Sequence, residues 1–293
     1  MNRLKVVVIV SSDPSDIYFA NQLARRLNVV GIIVESSAEQ PDVRRKIGKL
    51  AGYAFSPWQI PRLLRERAIV REHVRRTSAI DLVGFGIDAF ELTPPPSCRV
   101  ERVYGKNAAN SPETVELIRE FEPDLLVLCG CSILKEPVLS IPRLGSLNLH
   151  GGLAQRYRGV WTTLWAVVNE EPEYVGATVH FVNSGIDDGD IVYQGRPEVA
   201  ADDDPESLYV KVVKLGVRMM ITAVEDIEVG RVQRHKLEQK GRLYLSRMVT
   251  PEVLHKAWTL TEGGVISRYL AARGERDARV LEIMRGVYCT PGE

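Results

Sequence analysis

Asn148 and His150 stand at positions i and i+2 of an apolar run, Ser146-Leu-Asn-Leu-His150. Further along lies the acidic turn Gly185-Ile-Asp-Asp-Gly-Asp-Ile191. In a strand, alternate side chains leave the same face, so the amide and the imidazole project together. The glycine-containing turn can then bring a carboxylate, Asp187, to that face. An amide donor, an imidazole and a carboxylate suffice to handle an acyl carbon, its oxyanion and a proton. The plainer alternative is a strand-end asparagine and a core histidine with satisfied hydrogen bonds.

These residues need a scaffold, and the chain supplies one. Its 293 residues are 45% hydrophobic and 26% charged, which reads as a globular protein with a sizeable core. Lysine plus arginine equals aspartate plus glutamate at 38 each, so nothing in the net charge favours nucleic acid. The clusters Arg44-Arg-Lys46 and Arg75-Arg76 read as solvated helix faces. The first apolar run, Val6–Val10, is too short for a signal or a membrane span, and no later run approaches one, so the expectation is a cytoplasmic protein. Cys98, Cys129, Cys131 and Cys289 lack metal spacing and read as buried or half-buried thiols. No metal is expected.

Val6–Val10, a helical stretch over Asp16–Leu27 and Val29–Glu35 make a βαβ opening, which implies a parallel sheet. The turn between them, Ser11-Ser-Asp-Pro-Ser15, either caps the helix or offers hydroxyls and amides to a ligand. Residues 36–100 read as an insertion or elaborated crossover. They hold helical periodicity at Val43–Leu50 and Gln59–Arg76, a Pro57-Trp58 junction and a Pro94-Pro-Pro96 break. Regular alternation follows. Strands are expected at Val100–Tyr104, Leu125–Cys129, Ser146–His150, Val175–Val182 and Ile191–Gln194. Helices are expected from Ser111-Pro112 to Phe121, at Ile133–Ser140, Thr162–Asn169 and Pro205–Val224. A hairpin piece at Leu243–Met248 and helices from Pro251 and Glu262 close the chain. The fold class is α/β: a Rossmann-like, mostly parallel sheet flanked by helices, with a catalytic unit over 1–232 and a small C-terminal extension over 233–293.

Five ordered pieces resemble a known family. They are Pro123-Asp-Leu-Leu-Val-Leu-Cys-Gly130, Leu147-Asn-Leu-His150, Arg156-Tyr-Arg-Gly159, Val175-Gly-Ala-Thr-Val-His-Phe-Val182 and Ile186-Asp-Asp-Gly-Asp-Ile191. Together they are similar to the core of the 10-formyltetrahydrofolate-dependent formyltransferases, which act on glycinamide ribonucleotide, methionyl-tRNA or amino sugars. The resemblance implies that Asn148, His150 and Asp187 are catalytic. Asn148 and a protonated His150 would donate to the formyl oxygen. Asp187 would hold the imidazolium and accept a proton from the incoming amine through water. It further implies a pterin slot along Cys129–Leu134 and Val182–Asp187, with Cys129, Gly130, Ile133, Leu134, Val182, Gly185 and Ile186 as its walls. The acceptor would meet Tyr157, Arg158, Gly159 and Trp161. Asp188 and Asp190 read as turn residues, His180 as packing, Trp165 equally as a wall of the acceptor pocket or as helix packing, and His73, His235 and His255 as surface residues without local partners.

The departures bear on substrate. Gly151-Gly-Leu-Ala-Gln155 replaces the family's Pro-Ser-Leu-Leu-Pro after the histidine, and the glycine-rich phosphate loop after the first strand is missing. That argues against glycinamide ribonucleotide. The final 60 or so residues look too short and too helical for the tRNA enzyme's basic barrel. The resulting expectation is transfer of a formyl group from 10-formyltetrahydrofolate to a small primary amine, with a nucleotide-linked amino sugar as the leading candidate and no nucleic-acid or membrane partner. A 10-formyltetrahydrofolate hydrolase and a non-catalytic folate-binding protein are the other readings, and a homodimer is compatible with the family.

Overall fold

The structure, a computed structural model, describes residues 3–36, 60–183 and 185–284. The expected helix over 43–50, the Arg44–Lys46 cluster, the Pro57-Trp58 junction and Cys289 lie outside the described residues.

The uninterrupted apolar run of β1 (Val6–Ser11) is what a strand covered on both faces requires, and Val6 through Val10 are fully buried. α1 (Pro14–Arg26) crosses back to β2 (Val29–Ser36), and α2 (Ile60–Phe85) precedes β3 (Arg99–Tyr104). α3 (Pro112–Glu120) starts at Pro112, with the Ser111 hydroxyl accepting from the Thr114 amide as its N-cap. β4 (Leu125–Cys129), the single turn α4 (Glu136–Leu139), β5 (Ser146–His150), β6 (Tyr157–Gly159) and α5 (Thr162–Val168) follow. β7 (Ala177–Phe181) and β8 (Ile191–Gly195) flank the acidic turn, and α6 (Pro205–Glu228) covers the sheet behind them. The chain then forms β9 (Arg242–Tyr244), α7 (Pro251–Glu262), α8 (Val265–Ala271) and α9 (Arg273–Ile283).

The main sheet has the order β3-β2-β1-β4-β5-β7-β8. Pairs from β3 through β5 are parallel; β5–β7 and β7–β8 are antiparallel. Strand order reverses between β1 and β4, and in open α/β sheets the crevice beyond the carboxyl ends at such a switch point is where ligands bind. The register aligns one row across the sheet: Ile33, Ile9, Leu128, Asn148 and His180. That stretch of the row is apolar on β2, β1 and β4 and polar on β5 and β7.

Several elements differ from the sequence expectation. The helix after residue 59 continues to Phe85, where it packs on α6 and α7, and Ile133–Ser140 shrinks to α4 because Lys135 is still extended. β9 is no hairpin. It pairs in parallel with β6, a three-residue strand too short to leave a periodic trace. Left-handed Gly264 separates the last helices, so α8 begins at Val265. Residues 233–284 share the main core through Tyr244, Ile266 and Tyr269. No helix among the described residues is long and apolar enough to cross a membrane.

Candidate active site

Asn148 on β5 and His180 on β7 are directly opposed in the antiparallel ladder, which brings side chains on one face close. Asn148 Nδ2 lies 3.1 Å from His180 Nε2 and 3.4 Å from Asp187 Oδ1. Asp187 sits in the β7–β8 turn with φ 46°, a left-handed conformation that costs a non-glycine residue energy and persists where surroundings hold it. His150 Nδ1 stands 3.4 Å from Asp187 Oδ2, and His180 Nε2 stands 3.4 Å from Oδ1. The turn closes tightly because Gly189 has no side chain: a Cβ there would come within 1.8 Å of the Phe181 carbonyl oxygen.

Burial alone would raise the Asp187 carboxyl, but the charges of His150 and His180 and the Gly159 amide outweigh it and hold the group well below the usual carboxylate range. The partners also fix the ring protons. His150 Nε2 faces the Tyr157 carbonyl at 2.8 Å and His180 Nδ1 faces the Phe181 carbonyl at 2.8 Å. A carbonyl only accepts, so both nitrogens carry hydrogen. His150 Nε2 thus faces the Tyr157 carbonyl and Nδ1 faces Asp187. Asn148 is the half-exposed member of the group, with its amide nitrogen between His180 and Asp187.

A second layer holds the carboxylate. The Gly159 amide donates to Asp187 Oδ2 at 2.7 Å, and Arg158 donates to the Ile186 carbonyl at 3.1 Å and the Gly241 carbonyl at 2.9 Å. Lys240 reaches Asp188 at 2.9 Å. β9 locks this arrangement, because Gly159, at φ 88°, lies so close to Tyr244 that a Cβ would meet its carbonyl oxygen at 2.0 Å.

The remaining expected site residues divide. Ile133 is 62% exposed at the crest beyond β4, whereas Leu134 is buried in the core. Val182, Gly185 and Ile186 are half-buried along the acidic turn. Cys129 is buried, and its thiol donates to Asp16 at 3.4 Å. Gly130, at φ 67°, passes so close to Asp16 that no Cβ would fit. Tyr157, expected to meet the acceptor, is instead a core residue: its hydroxyl donates to Glu171 at 2.6 Å and accepts from Asn169 at 3.0 Å. Trp161 is 45% exposed and free to meet a ligand; Trp165 is buried and stacks on Tyr244 at 4.6 Å.

The β1–α1 turn caps the helix, though not through a serine. The N-cap is Asp13, and the Ser11 hydroxyl donates to the buried Asp16 at 2.6 Å. Ser15 lies 3.2 Å from the Tyr209 hydroxyl. Burial raises the Asp16 carboxyl against these hydrogen bonds. His180 belongs to the site and not merely to its packing. His73 is no surface residue: it is buried and accepts from the Trp258 indole at 3.2 Å. His235 is half-buried and bridges Ile191 through backbone, and His255 is exposed. No group of three or more His, Cys, Asp or Glu side chains suited to a metal occurs among the described residues.

Residues 69–224, just over half of the chain, match the formyl transferase family. Methionyl-tRNA formyltransferase from Methylacidiphilum infernorum is 37% identical over 133 residues, covering 45% of this chain and 41% of that protein. The enzyme of the same name from Geobacter metallireducens is 32% identical over 160 residues, covering 53% and 51%. The chain thus matches about half the length of these curated relatives. A sugar N-formyltransferase from a Shewanella species shares the fold with TM-score 0.51 at 17% identity, over 88% of this chain and 87% of that one. Phosphoribosylglycinamide formyltransferase from Anaplasma phagocytophilum shares it with TM-score 0.51 at 18% identity, over 84% and 100%.

Proposed function

The chain belongs to the formyl transferase family, and from that premise we propose that it moves a formyl group from 10-formyltetrahydrofolate to the primary amine of a small molecule, a nucleotide-linked amino sugar. The observation that carries this reading is the ionised Asp187 carboxylate fixed between two histidines beside a half-exposed asparagine amide.

The cosubstrate would supply the formyl carbon. Its ring would lie between the crest beyond β4 and the acidic turn, where the exposed Ile133 and the half-buried Val182 and Ile186 offer apolar surface. Asn148 Nδ2 donates to the formyl oxygen as negative charge builds on it; losing one such donor typically costs about 10²–10³ in rate. Asp187 accepts the proton of the attacking amine through water. His150 and His180 keep that carboxylate ionised and oriented, and holding amine and carbon in contact supplies much of the remaining acceleration.

Two features support a sugar acceptor. The balanced charge offers no general attraction to a polyphosphate backbone. The exposed Trp161 ring, two residues from the Gly159 amide that holds Asp187, offers the aromatic platform a pyranose ring uses. Methionyl-tRNA is the second reading, favoured by the names of the curated relatives.

The test is release of tetrahydrofolate from 10-formyltetrahydrofolate, followed spectrophotometrically against amino sugars, nucleotide-linked amino sugars, amino acids and methionyl-tRNA, with Asp187→Asn as control. Turnover dependent on an amino sugar and lost in the control is the expected result. Turnover with methionyl-tRNA alone would replace the acceptor, and turnover without any amine would make the protein a hydrolase.

A further inference from the structure

A second buried polar cluster lies outside the catalytic group, where α2, α6 and α7 meet the start of α5. Glu206, in the first turn of α6, has a side chain only 9% exposed, and no hydrogen bond reaches its carboxyl among the described residues. Its oxygens are not among the fully enclosed polar atoms that lack a partner, so the carboxyl keeps a narrow opening to solvent through which a ligand atom can reach it. His73 of α2 is 6% exposed, and its Nε2 stands 3.9 Å from Glu206 Oε1, beyond hydrogen-bond reach. The Trp258 indole, which can only donate, occupies His73 Nδ1 at 3.2 Å, so the Nε2 carries hydrogen and points that donor toward Glu206. Two buried polar groups of complementary kind thus face each other with neither satisfied by the other.

The geometry suits one shared partner atom. An oxygen about 2.8 Å from both closes a triangle on the 3.9 Å edge. Beside them lies Trp161, whose ring centroid is 5.7 Å from that of His73 and whose surface is 45% exposed. Trp161 is two residues from Gly159, and two residues span at most about 7 Å. The Gly159 amide holds Asp187 at 2.7 Å, so the Trp161 backbone lies near that carboxylate while its ring borders His73.

We propose that Trp161, His73 and Glu206 form a hydroxyl-recognition subsite for the pyranose ring of the acceptor, the indole packing on the ring's C–H face while the imidazole N–H and the carboxyl share one ring hydroxyl. This rests on the amino-sugar reading above. The surroundings choose a hydroxyl over a charged partner. Burial, with the nearby negative charges of Asp81 and Asp204, pushes the Glu206 carboxyl up to about 8, and burial lowers His73. At neutral pH a protonated carboxyl and a neutral imidazole both hydrogen-bond a hydroxyl, and neither attracts the phosphates of a nucleotide-linked sugar. The subsite also accounts for α2, which brings His73 to Glu206 from 133 residues earlier in the chain.

The experiment is calorimetric titration of the full chain with dTDP- and UDP-linked 4-amino-4,6-dideoxyglucose, and with dTDP and UDP alone. The wild type is compared with Glu206→Leu, Glu206→Gln and Trp161→Leu, and binding of 10-formyltetrahydrofolate checks that each variant is folded. Loss of the shared hydrogen bond should weaken the sugar nucleotide about tenfold in Glu206→Leu and Trp161→Leu, less in Glu206→Gln, with the bare nucleotides unaffected. Sugar-nucleotide affinities within about twofold of wild type in folded variants would overturn the subsite and leave the transferase reading intact. A wild type that binds neither sugar nucleotide more tightly than its bare nucleotide would also overturn it; tetrahydrofolate release with other amines then judges the transferase reading separately.

Discussion

The two halves of the main sheet solve opposite problems with one continuous register. In β1, β2 and β4 both faces are apolar, with Val7, Ile9, Ile33, Leu126 and Leu128 packed on one side and Val6, Val8 and Val10 on the other. In β5, β7 and β8 only one face remains apolar, through Leu147, Leu149 and Val179 against α6. The other carries Asn148, His150, Thr178, His180 and Gln194. A segment of irregular chain, residues 151–156, covers that polar face, and such chain brings backbone groups that must be satisfied. The strands meet the demand: Thr178 donates to the Gly152 carbonyl at 2.6 Å, and Gln155 and Gln194 bond each other at 2.6 and 2.7 Å. Polarity on this face is thus structural first, and the candidate catalytic group shares the face with these structural bonds.

The contrast can be broken most sharply at Asp187. Asp187→Asn should lose at least about 10³ in turnover of 10-formyltetrahydrofolate while the protein stays folded by circular dichroism, since the change removes the proton acceptor and the charge between two histidines. Next comes the same transverse row on its apolar side. Ile9→Ala should cost about 2–5 kcal/mol in urea unfolding, with kcat of the folded enzyme unchanged. A fall in kcat comparable to that of Asp187→Asn would show that the halves do not divide their work. Thr178→Val tests the polar face itself: it strips the Gly152 carbonyl and Gln194 of a partner and should cost about 1–3 kcal/mol, where a purely apolar face would gain from valine.

A pH-dependent effect concerns the buried acid at the start of α6. Glu206, pushed up to about 8 from an ordinary 4.5, keeps its proton in the folded protein over a range where the unfolded chain has lost it. Stability from this group therefore declines as pH rises from 4.5 to about 8 and is level on either side. Glu206→Gln should flatten that decline, read as melting temperature against pH; an unchanged slope would mean that the carboxyl is ionised and paired.

The strands are legible where burial on both faces makes the code redundant, as in the Val6–Val10 and Leu125–Cys129 runs. Asn148 and His150 are legible because two polar residues at even spacing interrupt an apolar strand. His180 carries the same signal, since Thr178 and His180 also alternate within Ala177–Phe181, but one histidine in an apolar strand reads as packing until its opposite number is known. Register across an antiparallel pair is set by the whole sheet and not by either strand. His73 escapes a local reading for a related reason: its partner Trp258 lies 185 residues away, and local pattern is blind to such distances. Tyr157 shows the converse error. Motif resemblance puts it beside the acceptor, yet Glu171, Asn169 and the stacked Tyr244 ring hold it in the core.

Gly159 is where two otherwise separate parts of the molecule touch. Its amide hydrogen lies on the Asp187 carboxylate, and its Cα lies against the Tyr244 carbonyl of β9. That hydrogen exchanges with solvent only when the acidic turn swings away or the β6–β9 pair separates, and either opening removes a prop from the same carboxylate. A single resonance in a proton–deuterium exchange experiment would therefore time the coming and going of a competent site, without substrate and without turnover.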